Sequence, residues 1–554
     1  MYDFFLLSET RSVTITHGMS TSGNLASWLL DTALASGVGP RIALREGDRA
    51  WTYDELADRV SRMSSALRTL RLQRGERVLV LMRDTLEAAT AILATIHAGA
   101  VAVPVSELAT SDDVQEYVLH CGAVIAITDD KHEAVLDAVR NETPDLREVV
   151  CVGAKLPSSH DFHTILSAAQ PLPAAPSGAS DVALLLYSAG SGPGELRAVP
   201  HTQRTIEAAK ESFAKELLNL TSADRIFSVA RLSTAYGVGA GLMLPIAVQA
   251  ESLLFPAQAK SEPLFDALRT FKPTVLFATP SVYAQLAHDA ERASLSKPLA
   301  KLRCAVAGAE GMPERLIPRI RTVLGTEVIV GYGLTEIFQF ALAGRSDDPG
   351  ARAGVCGKPL SGVQVRLVDE DGDLVGADEI GTLELQCGSL FTGYWAGQGA
   401  AVGTAGELRA DGWFTTRDRF MIDKEGFYHH CGRVDDLFKV GGKWVSPSEV
   451  ENALTAHEGV WECAVIGADD DEGLIKPLAF VVTNVGWEGG PKLEAELQDY
   501  VKQTLAPYKY PRWIEFVESL PRGPGGKLLR YKLRPMRRRR AAETGSLPIV
   551  PAKK

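Results

Sequence analysis

Short, almost uninterrupted apolar runs return along the first two thirds of the chain: Val78 to Met82, Ala100 to Val105, Val124 to Thr128, Val149 to Val152, Asp181 to Leu186, Ser252 to Phe255, Val275 to Phe277, Ala305 to Ala307 and Glu327 to Val330. A strand that is apolar on both faces must be covered on both, which is the signature of a parallel sheet sandwiched by helices. The stretches between these runs carry helical periodicity. In Trp51 to Leu70, Leu56, Val60, Met63 and Leu67 recur at helical intervals, and Thr52 with Glu55 has capping-box spacing. A further helix is expected to run to about His97 before the next strand. The fold class is therefore α/β, with a large N-terminal α/β domain built on parallel sheets.

Beyond Gly362 the texture changes. Val363 to Asp369, Gly381 to Gln386 and Gly426 to His430 read as short strands between Asp/Gly turns such as DEDGD, and form a β-rich subdomain. After Arg433 a small, mobile α+β C-terminal domain is expected, with helices over Ser446 to His457 and Leu493 to Thr504 and strands at Cys463 to Gly467 and Leu478 to Thr483. GRVDD at 432 to 436 marks the boundary. The expected division is a disordered 1–23, a large domain over 24–434, a small one over 435–535 and a basic flexible tail over 536–554.

A chain of 554 residues exceeds one compact core, in keeping with that division. Its net charge of −11 excludes the broad basic surface a nucleic-acid binder needs. The run Arg537 to Arg540 is followed by no apolar periodicity and reads as a solvated tail. Seven scattered cysteines, none in a CxxC, fit reduced thiols better than a disulfide framework or zinc site. No apolar stretch reaches membrane-spanning length, and the start of the chain lacks signal-peptide character, so a cytoplasmic, membrane-free protein is expected.

Tyr187 to His201 reads YSAGSGPGELRAVPH and follows the apolar run ending at Leu186. A strand entering a loop of small residues can wrap backbone N–H groups around phosphate. It is not a Walker A loop, because no Gly-Lys-Ser/Thr follows the glycines. Alone, it reads better as an ordinary surface turn rich in Gly and Ser.

Five ordered segments carry a resemblance: this loop, GYGLTE at 331–336, Trp413 to Asp418, GRVDDLFKVGGKWVSPSEVE at 432–451 and PRGPGGKLLR at 521–530. Together they resemble the adenylate-forming superfamily of acyl-CoA ligases. ARLSTAYGVGAGL at 230–242, VLFATPSVYA at 275–284 and LAPYKYPR at 505–512 give the look of benzoate-CoA ligases. The resemblance implies that a carboxylate attacks ATP to give an acyl-adenylate and pyrophosphate, after which a thiol, usually that of CoA, displaces AMP. The small domain would swing about a hinge between the two steps.

On that resemblance, Thr335 contacts phosphate, Glu336 is the Mg2+ carboxylate, and Lys527 reaches the substrate carboxylate and α-phosphate. Tyr332 flanks adenine opposite Gly308 and Ala309, Asp418 holds the ribose hydroxyls, and Arg433 reaches ribose or phosphate. Ser188, Gly190, Ser191 and Arg197 line the phosphates. Asp435 sits at the hinge, and Lys439, Gly441 and Gly442 border the thiol tunnel. Ala235, Tyr236, Gly237, Phe277, Thr279, Pro280 and Tyr283 form the acyl pocket, with Phe338 closing its far side. Small and aromatic residues together suit a flat ring, although each could equally be a core residue at a strand end.

The sequence departs from the family on its ATP-handling parts. Gly192 replaces a threonine, Pro193 is inserted and offers no N–H, Leu196 and Arg197 take the Pro and Lys places, Arg417 replaces a glycine, and GPGGK at 523–527 has lost its threonines. Three readings follow. The first is transfer of a benzoate-type acyl group, such as anthraniloyl, from CoA to the phosphopantetheine thiol of an acyl carrier protein. The second is an ATP- and Mg2+-dependent aryl-CoA ligase. The third is an inactive acyl-CoA-binding member. Ring substituent, thiol acceptor and a homodimeric state are left open.

Overall fold

The computed structural model describes residues 23–188, 196–293, 298–348, 355–397, 407–434, 436–470, 472–522 and 528–533. Gly190, Ser191, Asp435 and Lys527, the substitutions at Gly192 and Pro193, and nearly all of the expected disordered start and basic tail lie outside the described residues.

The helix expected over Trp51 to Leu70 spans Tyr53–Thr69, with Thr52 as N-cap in a reciprocal capping box with Glu55. Trp51 belongs instead to the strand Arg49–Thr52, which pairs with Ile42–Glu46. Leu56, Val60, Met63 and Leu67 are fully buried, as their spacing requires.

The apolar runs divide between two sheets. One has, in order, His160–Asp161, Glu148–Val152, Ala123–Asp129, Arg77–Leu81, Val101–Val105, Val182–Ser188 and Arg197–Thr202. Its strands are parallel except the last, which runs antiparallel to Val182–Ser188. The other has Val328–Gly333, Cys304–Ala307, Val275–Ala278, Arg225–Ser228, Glu251–Leu253 and Ile42–Glu46 as a parallel centre with antiparallel edges. Every residue of the helix Leu86–His97 is buried, and residues of both sheets share one apolar core with it. Which runs join which sheet follows from this shared core, and periodicity carries no such information.

A four-stranded antiparallel sheet, Val363–Val368, Ile380–Cys387, Phe414–Ile422 and Tyr428–Arg433, forms the β-rich part. The C-terminal domain pairs Val460–Asp469 with Ile475–Thr483 and adds Trp513–Phe516 in parallel. Its helices Pro447–Thr455 and Pro491–Thr504 contribute Val450, Leu454, Leu497 and Val501 to a separate core. It rests on the large domain through Arg315, which donates to the carbonyls of His457, Val460 and Trp461, and through Arg522 beside Glu310 at 3.5 Å.

Candidate functional site

In the strand Phe414–Ile422, Phe414, Thr416, Asp418 and Phe420 are the inward positions and the residues between them are half-buried. This alternation is the period of two of a strand with one covered face. It carries a carboxylate inside: Asp418 is 4% exposed. Tyr332 Oη donates to its Oδ2 at 2.9 Å, His430 Nε2 lies 2.9 Å from Oδ1, and Arg433 Nη1 lies 3.9 Å from Oδ2. Burial pushes the acid up, but His430, Arg433 and the Tyr332 hydroxyl outweigh it and hold Asp418 below the usual carboxylate range. The ring of Tyr332 stacks on His430 at 5.9 Å and meets Phe420 edge-on.

GYGLTE follows the strand Val328–Gly333 into a 3₁₀ turn, Thr335–Ile337, and returns antiparallel as Phe340–Arg345. The N-cap of this turn is Leu334, with no side-chain cap, and Thr335 is its half-buried first residue. A Cβ on Gly331 would lie 1.9 Å from the Phe340 ring, so only glycine lets the two strands close here. Gly308 lies against the same ring, while Ala309 is exposed with φ +70°.

The turn buries Glu336, which accepts a hydrogen bond from Tyr394 Oη at 2.8 Å. Desolvation, with repulsion from Glu407 and Asp418, raises its pKa. A divalent cation would relieve that repulsion, and carboxylate oxygen is the donor type Mg2+ prefers, so the residues present fit such an ion.

The glycine-loop segment 189–195 joins the antiparallel strands Val182–Ser188 and Arg197–Thr202, in which Ser188 faces Arg197. Arg197 reaches across to Glu407, with both carboxylate oxygens at 3.3 Å, and lies over the Tyr394 ring at 5.2 Å. Arg417, the departure beside Asp418, donates through Nε to the same Glu407 at 2.8 Å. Arg197 and Arg417, both expected from the sequence to depart from the family pattern, thus meet on one acidic side chain that sequence reading passed over.

The acyl segment begins with Ala235–Val238 and continues as a π-helical turn, Gly239–Met243. Tyr236 donates to the Val306 carbonyl at 3.1 Å and stacks on Phe340; its edge meets Phe277 at 6.1 Å. Gly237 donates its N–H to Thr234, which caps the turn. Phe338, at φ +60°, lies edge-on to His201 at 5.0 Å. These groups assemble on one side of the sheet. Tyr283 is placed differently: it packs in the second core with Leu276 and Leu286, and its hydroxyl donates to the carbonyls of Leu276 and Val306. Thr279 and Pro280 serve as N-cap and first residue of the helix Pro280–Arg292.

His201 is 1% exposed; among the described residues neither ring nitrogen has a well-formed hydrogen-bond partner, and the Thr335 backbone only partly offsets its burial. Burial lowers its pKa to about 3, so it is neutral at ordinary pH. Sequence reading gave it no role. It also missed Tyr394, whose only signal is three aromatics in FTGYW, and His430, whose reach to Asp418 is set by a bulge in the strand pair.

Lys439, Gly441 and Gly442 are exposed in the hairpin that joins Phe438–Val440 to Lys443–Val445. Arg522 bridges Leu528 and pairs with Glu310, whose carboxylate also accepts from Ser281. Arg522 is thereby held near the Gly308 loop. Among the described residues no cluster of three or more His, Cys, Asp or Glu could hold a metal, and no helix is long and apolar enough to cross a membrane.

Residues 32–395 match the family model of the AMP-binding enzymes, and residues 449–527 match that of the AMP-binding enzyme C-terminal domain. The chain is 35% identical to a benzoate–CoA ligase of Thauera aromatica, over 92% of this chain and 95% of that protein. It is 33% identical to a 4-hydroxybenzoate–CoA/benzoate–CoA ligase of Rhodopseudomonas palustris, over 96% and 97%. A crystal structure of the anthranilate CoA ligase AuaEII with anthranoyl-AMP superposes with a TM-score of 0.87 at 31% identity, covering 95% of this chain and 99% of that one. With two family models in order and relatives that cover nearly its whole length, the chain belongs to the AMP-binding enzymes, the adenylate-forming superfamily, and is an enzyme of its aryl-CoA ligase-like branch.

Proposed function

We propose that the protein converts a benzoate-type carboxylate, with ATP and CoA, into its aryl-CoA thioester through an acyl-adenylate. The observation that carries this is the wall on which buried Asp418 and Glu336 flank Tyr332, next to the strand whose Phe340 stacks on Tyr236, which in turn meets Phe277 edge-on. The named activities of the relatives support the same reading.

In this scheme Asp418 accepts from the ribose hydroxyls in place of Tyr332 and His430, and Tyr332 borders adenine with Gly308 and Ala309. Glu336 faces the phosphates with Thr335, Ser188 and Arg197. Bound Mg2+ would offset phosphate charge as pyrophosphate departs. Ala235, Tyr236, Gly237, Phe277 and Phe338 hold the ring so that its carboxylate meets the α-phosphorus; such positioning converts a bimolecular step into an effectively unimolecular one. Neutral His201 can present an imidazole edge to the aryl group without adding charge. Lys527 reaches the reacting carboxylate, Asp435 is the hinge between a domain over 24–434 and one over 435–535, and Lys439, Gly441 and Gly442 guide the thiol. The setting is the cytoplasm.

One observation favours a second reading. The Arg197–Glu407–Arg417 cluster places a side-chain carboxylate where the phosphate-side cations meet. This suits an enzyme that has turned from ATP to moving an aryl group between CoA and a carrier-protein thiol, although the ligase relatives give that reading no support. The test is to supply substituted benzoates, ATP, Mg2+ and CoA and follow pyrophosphate, and separately to supply aryl-CoA with a phosphopantetheinylated carrier protein and follow its mass. Pyrophosphate release that depends on the aryl acid supports the ligase. Carrier acylation without ATP, and no pyrophosphate, overturns it.

A further inference from the structure

The phosphate side of the site is already occupied, in charge terms, by the protein itself. Glu407 is fixed by its backbone: its carbonyl accepts from the Thr415 N–H at 2.7 Å, and the neighbouring Leu408–Phe414 bridge closes the turn. Thr415 and Arg417 lie on the same face of their strand, so this pairing delivers the Glu407 carboxylate to Arg417. The carboxylate then also spans to Arg197 from the other sheet, with both oxygens at 3.3 Å. All three side chains are largely shielded, at 15%, 18% and 33% exposure for Arg197, Glu407 and Arg417. Two guanidinium groups bracketing one planar oxyanion is the arrangement by which arginine recognises phosphate. Glu407 also repels the buried Glu336.

We propose that Glu407 is an internal counter-ion that competes with polyphosphate for Arg197 and Arg417, and so sets how tightly this site holds the triphosphate or pyrophosphate of a nucleotide substrate. The inference rests on assigning this side of the site to phosphate, as above, and not on which thioester is made. An entering phosphate must therefore displace the contacts that Glu407 already makes with both guanidinium groups. Removing the carboxylate charge then withdraws one competitor that both cations share.

The test is binding without turnover. Inorganic pyrophosphate and Mg·ATP are titrated calorimetrically, at fixed ionic strength, into the full-length protein and its Glu407→Gln variant, with no aryl acid or CoA present. Pyrophosphate affinity is expected to rise about tenfold in Glu407→Gln, with the gain lost in Glu407→Gln/Arg197→Gln. Affinity that is unchanged or weaker, or no binding to either protein, overturns the proposal. Should Glu407→Gln fail to fold, Glu407→Asp withdraws the carboxylate by one methylene and is expected to give a smaller tightening; none overturns the proposal. A failed ligase assay with tighter pyrophosphate binding in the variant would count against the ligase reading and leave this one standing.

Discussion

Asp418 and Glu336 are both buried acids on one wall, yet their surroundings treat them oppositely. Asp418 has a hydrogen-bond or ionic partner for each oxygen and is held in its charged form. Glu336 has a tyrosine hydroxyl and two repelling acids, and its charged form is penalised. Asp418 is thus a finished structural unit. Glu336 is left wanting a cation, which is the state expected of a group that acts only when ligand arrives.

The largest test of this contrast is Asp418→Ala. Breaking a buried ionic network by removing one partner costs about 3–5 kcal/mol, so urea denaturation should show a loss of that size. Glu336→Gln should behave in reverse: pyrophosphate release falls about 100- to 1,000-fold, the scale of losing one transition-state electrostatic contact, while the unliganded protein is no less stable at pH 7. A Glu336→Gln protein that is both active and unstable would erase the distinction between the two carboxylates.

Their pH dependences have opposite sign. Asp418, with a folded pKa below its unfolded 3.8, contributes stability that is present above that value and lost as pH falls through the folded pKa. Glu336, raised above 4.5, makes its cost felt as pH climbs through its folded pKa. Each group can change stability by at most about 1.4 kcal/mol per pH unit within its own window. Denaturation midpoints between pH 3 and 7 should therefore separate as pH rises, Asp418→Ala falling below wild type and Glu336→Gln rising above it.

The smallest effect is expected at Arg417→Gly, which restores the family's residue. Its pair with Glu407 is one-third exposed on the arginine side, and such pairs contribute about 0–1 kcal/mol. Melting should barely move, and a loss of several kcal/mol would show the cluster to be a structural brace.

Much of this was legible beforehand, and the reasons differ by residue. The helix at Tyr53–Thr69 was readable because its cap and its buried face both lie within one local stretch. Glu336 and Asp418 were readable only through the spacing of motifs, since a lone acid reads as surface. Glu407, Tyr394, His430 and His201 went unseen because each matters through a contact made across sheets or across a strand pair.

The sequence by itself determined the α/β class, the β-rich segment, the small C-terminal domain and the membership of an adenylate-forming family, because apolar periodicity and motif order are properties of the chain read in line. Only the tertiary structure decided that two sheets share one core around Leu86–His97, that Tyr283 serves the core, and that both altered arginines converge on Glu407. Contacts between residues 197, 407 and 417 depend on how separate sheets pack, and packing is a property of the folded whole.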